Sequence, residues 1–138
     1  MKAVQILTKG MDERIVLSVL WVFVLMNMIY ADILNTLKPG YLAELEQVST
    51  TMSGVGVLFF AVLMEIPIIM IPLARLLNRR ANRIAHFIAV PLSVLWVTVP
   101  SIIMPGTPLS YIFFASVECA TMLFLLWYAW KWEASEAE

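Results

Sequence analysis

The chain has 138 residues, of which 62% are hydrophobic and 14% charged, and its mean hydropathy is +0.87. Ordinary soluble domains are roughly 45–50% apolar and 25% charged, so this composition predicts an all-α membrane protein. The formal net charge of −1, without a groove-sized basic patch, argues against nucleic acid as a partner. The single cysteine excludes an internal disulfide, a thiolate metal cluster and a CxxC redox pair.

Four apolar segments are long enough to cross a bilayer, which takes about 20 residues. They run over about 15–37, 52–77, 84–104 and 109–132. Pro67 and Pro72 in the second segment predict a kinked helix, and Pro105–Pro108 is a turn signal before the fourth. Because the segments leave only short connections, we expect residues 1–138 to form one domain, a four-helix up-down bundle.

Basic residues are distributed unevenly around these segments. One side of the predicted bundle has Lys2, Lys9, Arg14, Arg75, Arg79, Arg80, Arg83 and Lys131, and the other side has Lys38. Basic residues in short flanks are retained on the cytoplasmic side of a membrane. We therefore expect both termini in the cytoplasm and the loop that contains Lys38 outside.

The outer loop between the first two segments has a pattern of its own. Its apolar residues recur at helical spacing, at Tyr41, Leu42, Leu45 and Val48. The spacing predicts a short helix on the mouth of the bundle. This helix is either a lid over an outward pocket or an interfacial helix that covers apolar surface, and we favour the interfacial interpretation.

Polar and acidic side chains within the spans are the candidate functional residues. They are Asn27, Tyr30 and Asp32 in the first span, Glu65 in the second, Trp96 in the third and Glu118 in the fourth. An ionised acid at the bilayer centre costs about 2.5–3.5 kcal/mol, and the arginines all flank the spans on the cytoplasmic side. The acids are therefore protonated, hydrogen-bonded to Asn27, Tyr30 and one another, or ready to bind a cation from outside.

The helical rise gives the depth of these residues. It places Asn27, Asp32 and Glu118 in the outer half of the membrane and Glu65 nearer the midplane. The sequence therefore predicts an acidic pocket that opens outward and narrows at Glu65. On the first helix Asn27 and Tyr30 share one face and Asp32 lies on another, so the polar set need not converge.

Trp96 and His86 are weaker signals. Trp96 is either a platform that stacks on a flat or cationic ligand or an indole packed among helices. The single histidine, His86, cannot supply the paired axial ligands of a membrane cytochrome, and the Glu-x-x-His pairs of di-iron helices are missing. We therefore expect neither a metal nor a cofactor, and the residues leave open whether the protein is an enzyme.

Three segments carry a resemblance to known families. Leu20-Trp21 through Asn27, Tyr30-Ala31-Asp32 and Met64-Glu65-Ile66-Pro67 resemble a family of small bacterial four-helix membrane proteins of unknown function, over essentially the whole chain. This resemblance implies an integral, multi-pass protein of the bacterial inner membrane.

The order of parts is also similar to the EXPERA superfamily, which contains the emopamil-binding protein and the sigma-2 receptor. The shared features are four helices, an acid near the outer end of the first at Asp32, and Glu65 followed closely by Pro67. Members hold sterols or cationic amphiphiles in an intramembrane pocket lined by acids, and some isomerise a sterol double bond by proton transfer. The resemblance implies that Asp32 and Glu65 are pocket residues.

The sequence therefore favours a protein whose acidic pocket binds a lipidic or cationic amphiphilic molecule, with or without isomerase-like proton transfer. A first alternative is a proton-coupled exporter, because the small multidrug transporters also combine four short helices with an essential membrane acid. A second is a structural or accessory subunit whose acids are hydrogen-bonded between helices. The expected partner is a membrane lipid or an amphiphile, and a second copy of the chain, forming a homodimer, is a further candidate.

Overall fold

A computed structural model of the chain describes residues 12–103 and 107–132. These residues form five helices: α1 (Glu13–Thr36), α2 (Tyr41–Thr51), α3 (Gly54–Leu76), α4 (Arg79–Ile103) and α5 (Leu109–Lys131). Four of them, α1, α3, α4 and α5, are long and apolar enough to cross a membrane. This confirms the expected all-helical chain with four apolar spans. Part of the predicted turn at Pro105–Pro108 lies outside the described residues, as do Lys2 and Lys9.

Side-chain caps explain where three of the helices begin. Asp12, Ser53 and Asn78 each accept a hydrogen bond from a backbone N–H two or three residues further on, at 2.9, 3.1 and 2.9 Å. Such caps satisfy one of the N–H groups that the first turn of a helix leaves unpaired. Because Asn78 caps it, α4 begins at Arg79, five residues before the apolar segment that starts at Ile84.

The loop between α1 and α3 contains the short helix that the apolar spacing predicts. This helix is α2, and none of its residues is buried. Gly40 precedes it with φ 83°, a left-handed conformation that glycine adopts without steric cost. Lys38 and Glu44 form an exposed ion pair at 3.6 Å across the start of the helix. The helix therefore lies on the surface of the bundle.

The four long helices enclose a common core. α1 packs against α3 and α5, and α4 packs against the same two helices. The large side chains that fill the core are Leu17, Trp21, Val24, Val90, Met122 and Leu125. α3 buries only Pro67, Met70 and Ala74, all in its second half. Its first half is thus only loosely covered by the other helices.

Hydrogen bonds from side chains to backbone join the helix ends at one end of the bundle. Near the start of α1, Ser18 Oγ donates to the carbonyl of Ile71 at 2.9 Å. Near the start of α4, Asn82 Nδ2 donates to the carbonyl of Ala74 at 2.7 Å. The starts of α1 and α4 therefore lie beside the end of α3.

Arginines of α4 bind the end of α5. Arg79 donates from Nε and Nη2 to the carbonyl oxygen of Trp132, at 2.9 and 2.6 Å, and Arg83 donates to the carbonyl oxygen of Trp130. The last carbonyls of a helix lack an intrahelical partner, and positive charge is favourable at a helix C-terminus. Arg79 and Arg83, two of the basic residues behind the predicted orientation, therefore also cap α5.

Candidate functional site

A small cavity lies among the four long helices. Its lining consists of Met28, Ala31, Asp32, Met64, Val97, Tyr111, Ala115 and Glu118. The cavity has a volume of about 40 Å³, which is room for about three water molecules. A group the size of an ammonium ion fits this space, whereas a whole sterol does not.

Helical spacing explains how these residues meet. Met28 and Asp32 are one turn apart on α1, and Tyr111, Ala115 and Glu118 share one face of α5 at intervals of four and three residues. The small side chains of Ala31 and Ala115 leave space between α1 and α5. The cavity therefore exists because small residues stand beside the two acids.

The two acids that line the cavity differ in their exposure. Asp32 is exposed and Glu118 is 3% exposed, so the cavity extends from an open edge at Asp32 to a closed base at Glu118. Oε1 of Glu118 is buried and has no hydrogen-bond partner within the described part of the chain. A buried polar atom without a partner is costly, and such an atom commonly indicates a bound water, ion or ligand.

The two carboxylic acids in the cavity lining, Asp32 and Glu118, have the same sign of charge when ionised. Among the described residues that line the cavity, none is Lys, Arg or His. A cleft lined by one sign of charge with apolar walls concentrates its field and attracts the opposite charge. The arrangement can therefore hold a proton, a water molecule or a small cation.

Tyr41, the first residue of α2, is half-buried. Partial burial raises the pKa of the Tyr41 phenol, and the negative charges of Asp32 and Glu44 raise it further. A carboxylate affects a neighbouring acid in this way only at short range, since water and salt screen distant charges. The charges that act on the Tyr41 phenol thus come from α1 and from α2 itself.

Three of the predicted site residues lie away from the cavity. Tyr30 is 54% exposed and Glu65 is exposed as well, both on the outer surfaces of their helices. Asn27 donates from Nδ2 to the carbonyl of Phe23 in its own helix, at 2.9 Å. The structure thus brings together two of the three acids that the sequence places in the apolar segments, and it does not gather the polar residues of α1 into one pocket.

Trp96 lies beside the cavity without lining it. Its indole packs edge-on against Phe60, with ring centroids 4.7 Å apart and an interplanar angle of 80°. Met64 and Val97 line the cavity. Phe60 is one turn before Met64 on α3, and Trp96 directly precedes Val97 on α4. The aromatic pair therefore packs between α3 and α4 at the level of the cavity, and a role for Trp96 in stacking on a ligand stays a prediction.

Tyr111 was not identified from the sequence as a site residue. The signal that could have found it is its spacing, because it lies seven residues before Glu118 and thus two helical turns away on the same face. The apolar lining residues Met28 and Met64 carry no such signal, since methionine is common in cores. Their place in the cavity depends on how the helices are rotated.

The comparisons with known proteins concern the family and leave the activity open. The chain matches no curated protein and no solved structure. Residues 4–138 match the family described as a family of unknown function, DUF6326. The match covers all five helices, and it agrees with the predicted resemblance to a family of unknown function. The chain therefore belongs to the DUF6326 family.

Proposed function

We propose that this membrane protein binds the ammonium group of a cationic amphiphile in the cavity between Asp32 and Glu118. The observation that carries the proposal is the buried Oε1 of Glu118, which has no hydrogen-bond partner in the described residues. Glu118 lines the cavity together with a second acid, Asp32. An ammonium group supplies three N–H donors and one positive charge. It would therefore satisfy the orphaned oxygen and balance the carboxylates.

The cavity volume narrows the class of ligand. A volume of about 40 Å³ accommodates a primary ammonium group, which is about the size of a water molecule. A trimethylammonium group is larger and lacks N–H donors, so we expect primary amines to bind better than quaternary ones. The apolar part of the ligand would remain among the helices and lipid chains.

The proposed activity is binding without turnover. Moving a double bond in a sterol by proton transfer requires a donor and an acceptor in reach of the substrate. The cavity has two carboxyl groups but a volume of only about 40 Å³. Binding without isomerisation is therefore the simpler function, and the EXPERA resemblance stays a prediction.

We infer that the protein is an up-down bundle of the bacterial inner membrane with both termini in the cytoplasm and the cavity open to the outside. The bonds of Ser18 to α3 and of Arg79 to the end of α5 support alternating helix directions. In a Cys119→Ser background, an impermeant maleimide should label Glu46→Cys in intact cells. Arg80→Cys should react only after permeabilisation, and the reverse pattern would refute this orientation.

Ligand binding can be tested through thermal stability in nanodiscs of zwitterionic lipid. Dodecylamine should raise the melting temperature, because a ligand that binds the folded state stabilises it by about 2.7 kcal/mol at a hundred times its Kd. Dodecanol, which has the same chain without the charge, should not. Asp32→Asn and Glu118→Gln should each weaken dodecylamine binding about tenfold or more, since each removes one carboxylate from the site.

The matched control is Glu65→Gln. It removes an acid from a span but leaves the cavity unchanged, so it should keep the full dodecylamine response. If all three variants respond like the parent, the amine acts on the lipid or elsewhere on the protein, and the proposal is wrong. Dodecyltrimethylammonium tests the size argument, which predicts a smaller shift than for dodecylamine.

A proton-coupled exporter is a second candidate, and one observation favours it. Ser93 is 2% exposed, and its Oγ has no hydrogen-bond partner among the described residues. It lies one turn from Val97 on the same face of α4, toward the buried His86. An orphaned hydroxyl between the cavity and a histidine suits a buried water and a proton path. Flux of an amine from vesicles that depends on a proton gradient would support transport over simple binding.

A further inference from the structure

We propose that a second copy of this chain docks on the outer surface of α1 and α3, with the Tyr30 phenol of each copy donating to the Glu65 carboxylate of the other. The surface, here the α1–α3 surface, consists of Met26, Tyr30, Ile33, Leu58, Glu65 and Ile69. All six side chains are exposed. This inference is independent of any ligand in the cavity.

Tyr30 and Glu65 are the polar members of this surface. Tyr30 is 54% exposed, and Glu65 is exposed near the middle of α3. The structure gives neither side chain a hydrogen bond or ion pair with the described residues. Both lie in helices that are apolar enough to cross a membrane, so in a single copy they would face lipid.

Lipid cannot satisfy these two groups. A carboxyl group at membrane depth is costly unless it is paired, and a hydroxyl in hydrocarbon lacks a partner as well. Apolar side chains alone would indicate nothing more than a lipid-facing surface. One donor and one acceptor on the same surface indicate a partner with the complementary pair, and a second copy has it.

The two groups lie at one level of the bundle. Tyr30 stands between Met28 and Asp32 on α1, and Glu65 follows Met64 on α3; these three neighbours line the same cavity. Helical side chains point toward the N-terminus of their helix. The two side chains therefore start from the level of the cavity, which is the register that the proposed pair requires.

A two-fold axis would place Tyr30 of each copy opposite Glu65 of the other. Because α1 and α3 are neighbours, rotation about an axis parallel to the helices sets α1 of one copy against α3 of the other. In such an isologous interface each contact occurs twice. Two hydrogen bonds from Tyr30 to Glu65 would form, and α4 and α5 would remain outside the interface.

The dimer can be tested by energy transfer in lipid vesicles. Full-length protein with Cys119→Ser and Ser135→Cys is labelled with donor or acceptor dye, mixed and diluted with lipid. The parent should show concentration-dependent transfer between copies. Glu65→Leu and Tyr30→Phe should each raise the mole-fraction dissociation constant about tenfold, because interhelical hydrogen bonds in membranes are individually modest. The double variant should be little weaker than either single one, since both changes remove the same bond.

Ser116→Leu is the matched control. It also replaces an exposed polar side chain within a span, on α5, and it should leave the dissociation constant unchanged. Circular dichroism checks that each variant retains its helices. Absence of transfer for the parent at every dilution would overturn the proposal. An effect of Glu65→Leu without one of Tyr30→Phe would overturn the proposed pair, because it would indicate contact between two Glu65 carboxyl groups.

Discussion

Trp21 and His86 are joined by a hydrogen bond inside the bundle, with Trp21 Nε1 donating to His86 Nε2 at 3.0 Å. Both side chains are fully buried, at 0% exposure, and His86 Nδ1 is bonded to the carbonyl of Asn82 at 2.8 Å. Since Nε2 accepts, the imidazole is neutral and carries its proton on Nδ1. The bond links α1 to α4 and thus fixes how these two helices are rotated about their axes.

Breaking the bond between Trp21 and His86 should destabilise the fold. Trp21→Phe leaves a buried acceptor without a donor, and His86→Leu leaves a buried donor without an acceptor, so each should cost about 1–3 kcal/mol. The double variant should lose less than the sum of the two, because both changes remove one interaction. Thermal unfolding in nanodiscs measures all three, with the exposed Phe87→Leu as a control expected within about 0.5 kcal/mol of the parent. Strict additivity would contradict the bond.

Glu118→Met should stabilise the protein. The change replaces a buried carboxyl group, one oxygen of which has no partner among the described residues, by an apolar side chain of similar length. It should raise the free energy of unfolding by about 1–3 kcal/mol. An accessory subunit held together by hydrogen-bonded acids would instead lose stability. Thermal unfolding of the ligand-free variant therefore distinguishes a site residue from a structural one.

Arg79 should matter for stability more than its neighbour Arg80. Arg79→Ala removes two hydrogen bonds to the end of α5, and because the side chain is half-buried we expect a loss of about 1–2 kcal/mol. Arg80 is exposed, so Arg80→Ala should change stability by less than about 0.5 kcal/mol. Equal effects of the two substitutions would mean that charge alone, and not the cap, stabilises this end of the bundle.

The Tyr41 phenol should titrate above its ordinary pKa of 10.0, because partial burial and the charges of Asp32 and Glu44 favour its neutral form. Its contribution to stability is present below the ordinary value and is lost as the pH rises through the raised value in the folded protein. Asp32→Asn should lower the pKa of this phenol. Tyrosinate absorbance, with Tyr41→Phe subtracted, measures the difference.

An unchanged Tyr41 titration in Asp32→Asn would mean that Asp32 carries no charge at alkaline pH or lies too far from the phenol. Glu44→Gln is the matched control, because it removes the other charge that acts on Tyr41 without altering the cavity. If the pKa of the Tyr41 phenol shifts only in the Glu44→Gln variant, the charge that acts on this phenol lies on α2. In that case the charge of Glu44, and not that of Asp32, would act on the phenol.

The sequence determined the parts of this protein that depend on local properties. Hydropathy alone located the four spans, because each must present about 20 apolar residues to lipid. The spacing of Tyr41, Leu42, Leu45 and Val48 predicted α2, because helix periodicity is a property of neighbouring residues. The three acids also stood out, since a bilayer makes any ionisable side chain costly.

The tertiary structure decided which acids meet. The spacing within one helix defines its faces, but how each helix is rotated against its neighbours depends on packing of all four helices at once. Trp21 and His86, together with the large core residues, set that rotation. As a result Asp32 and Glu118 line one cavity, whereas Glu65, which the sequence assigned to the same pocket, lies on the outer surface of α3.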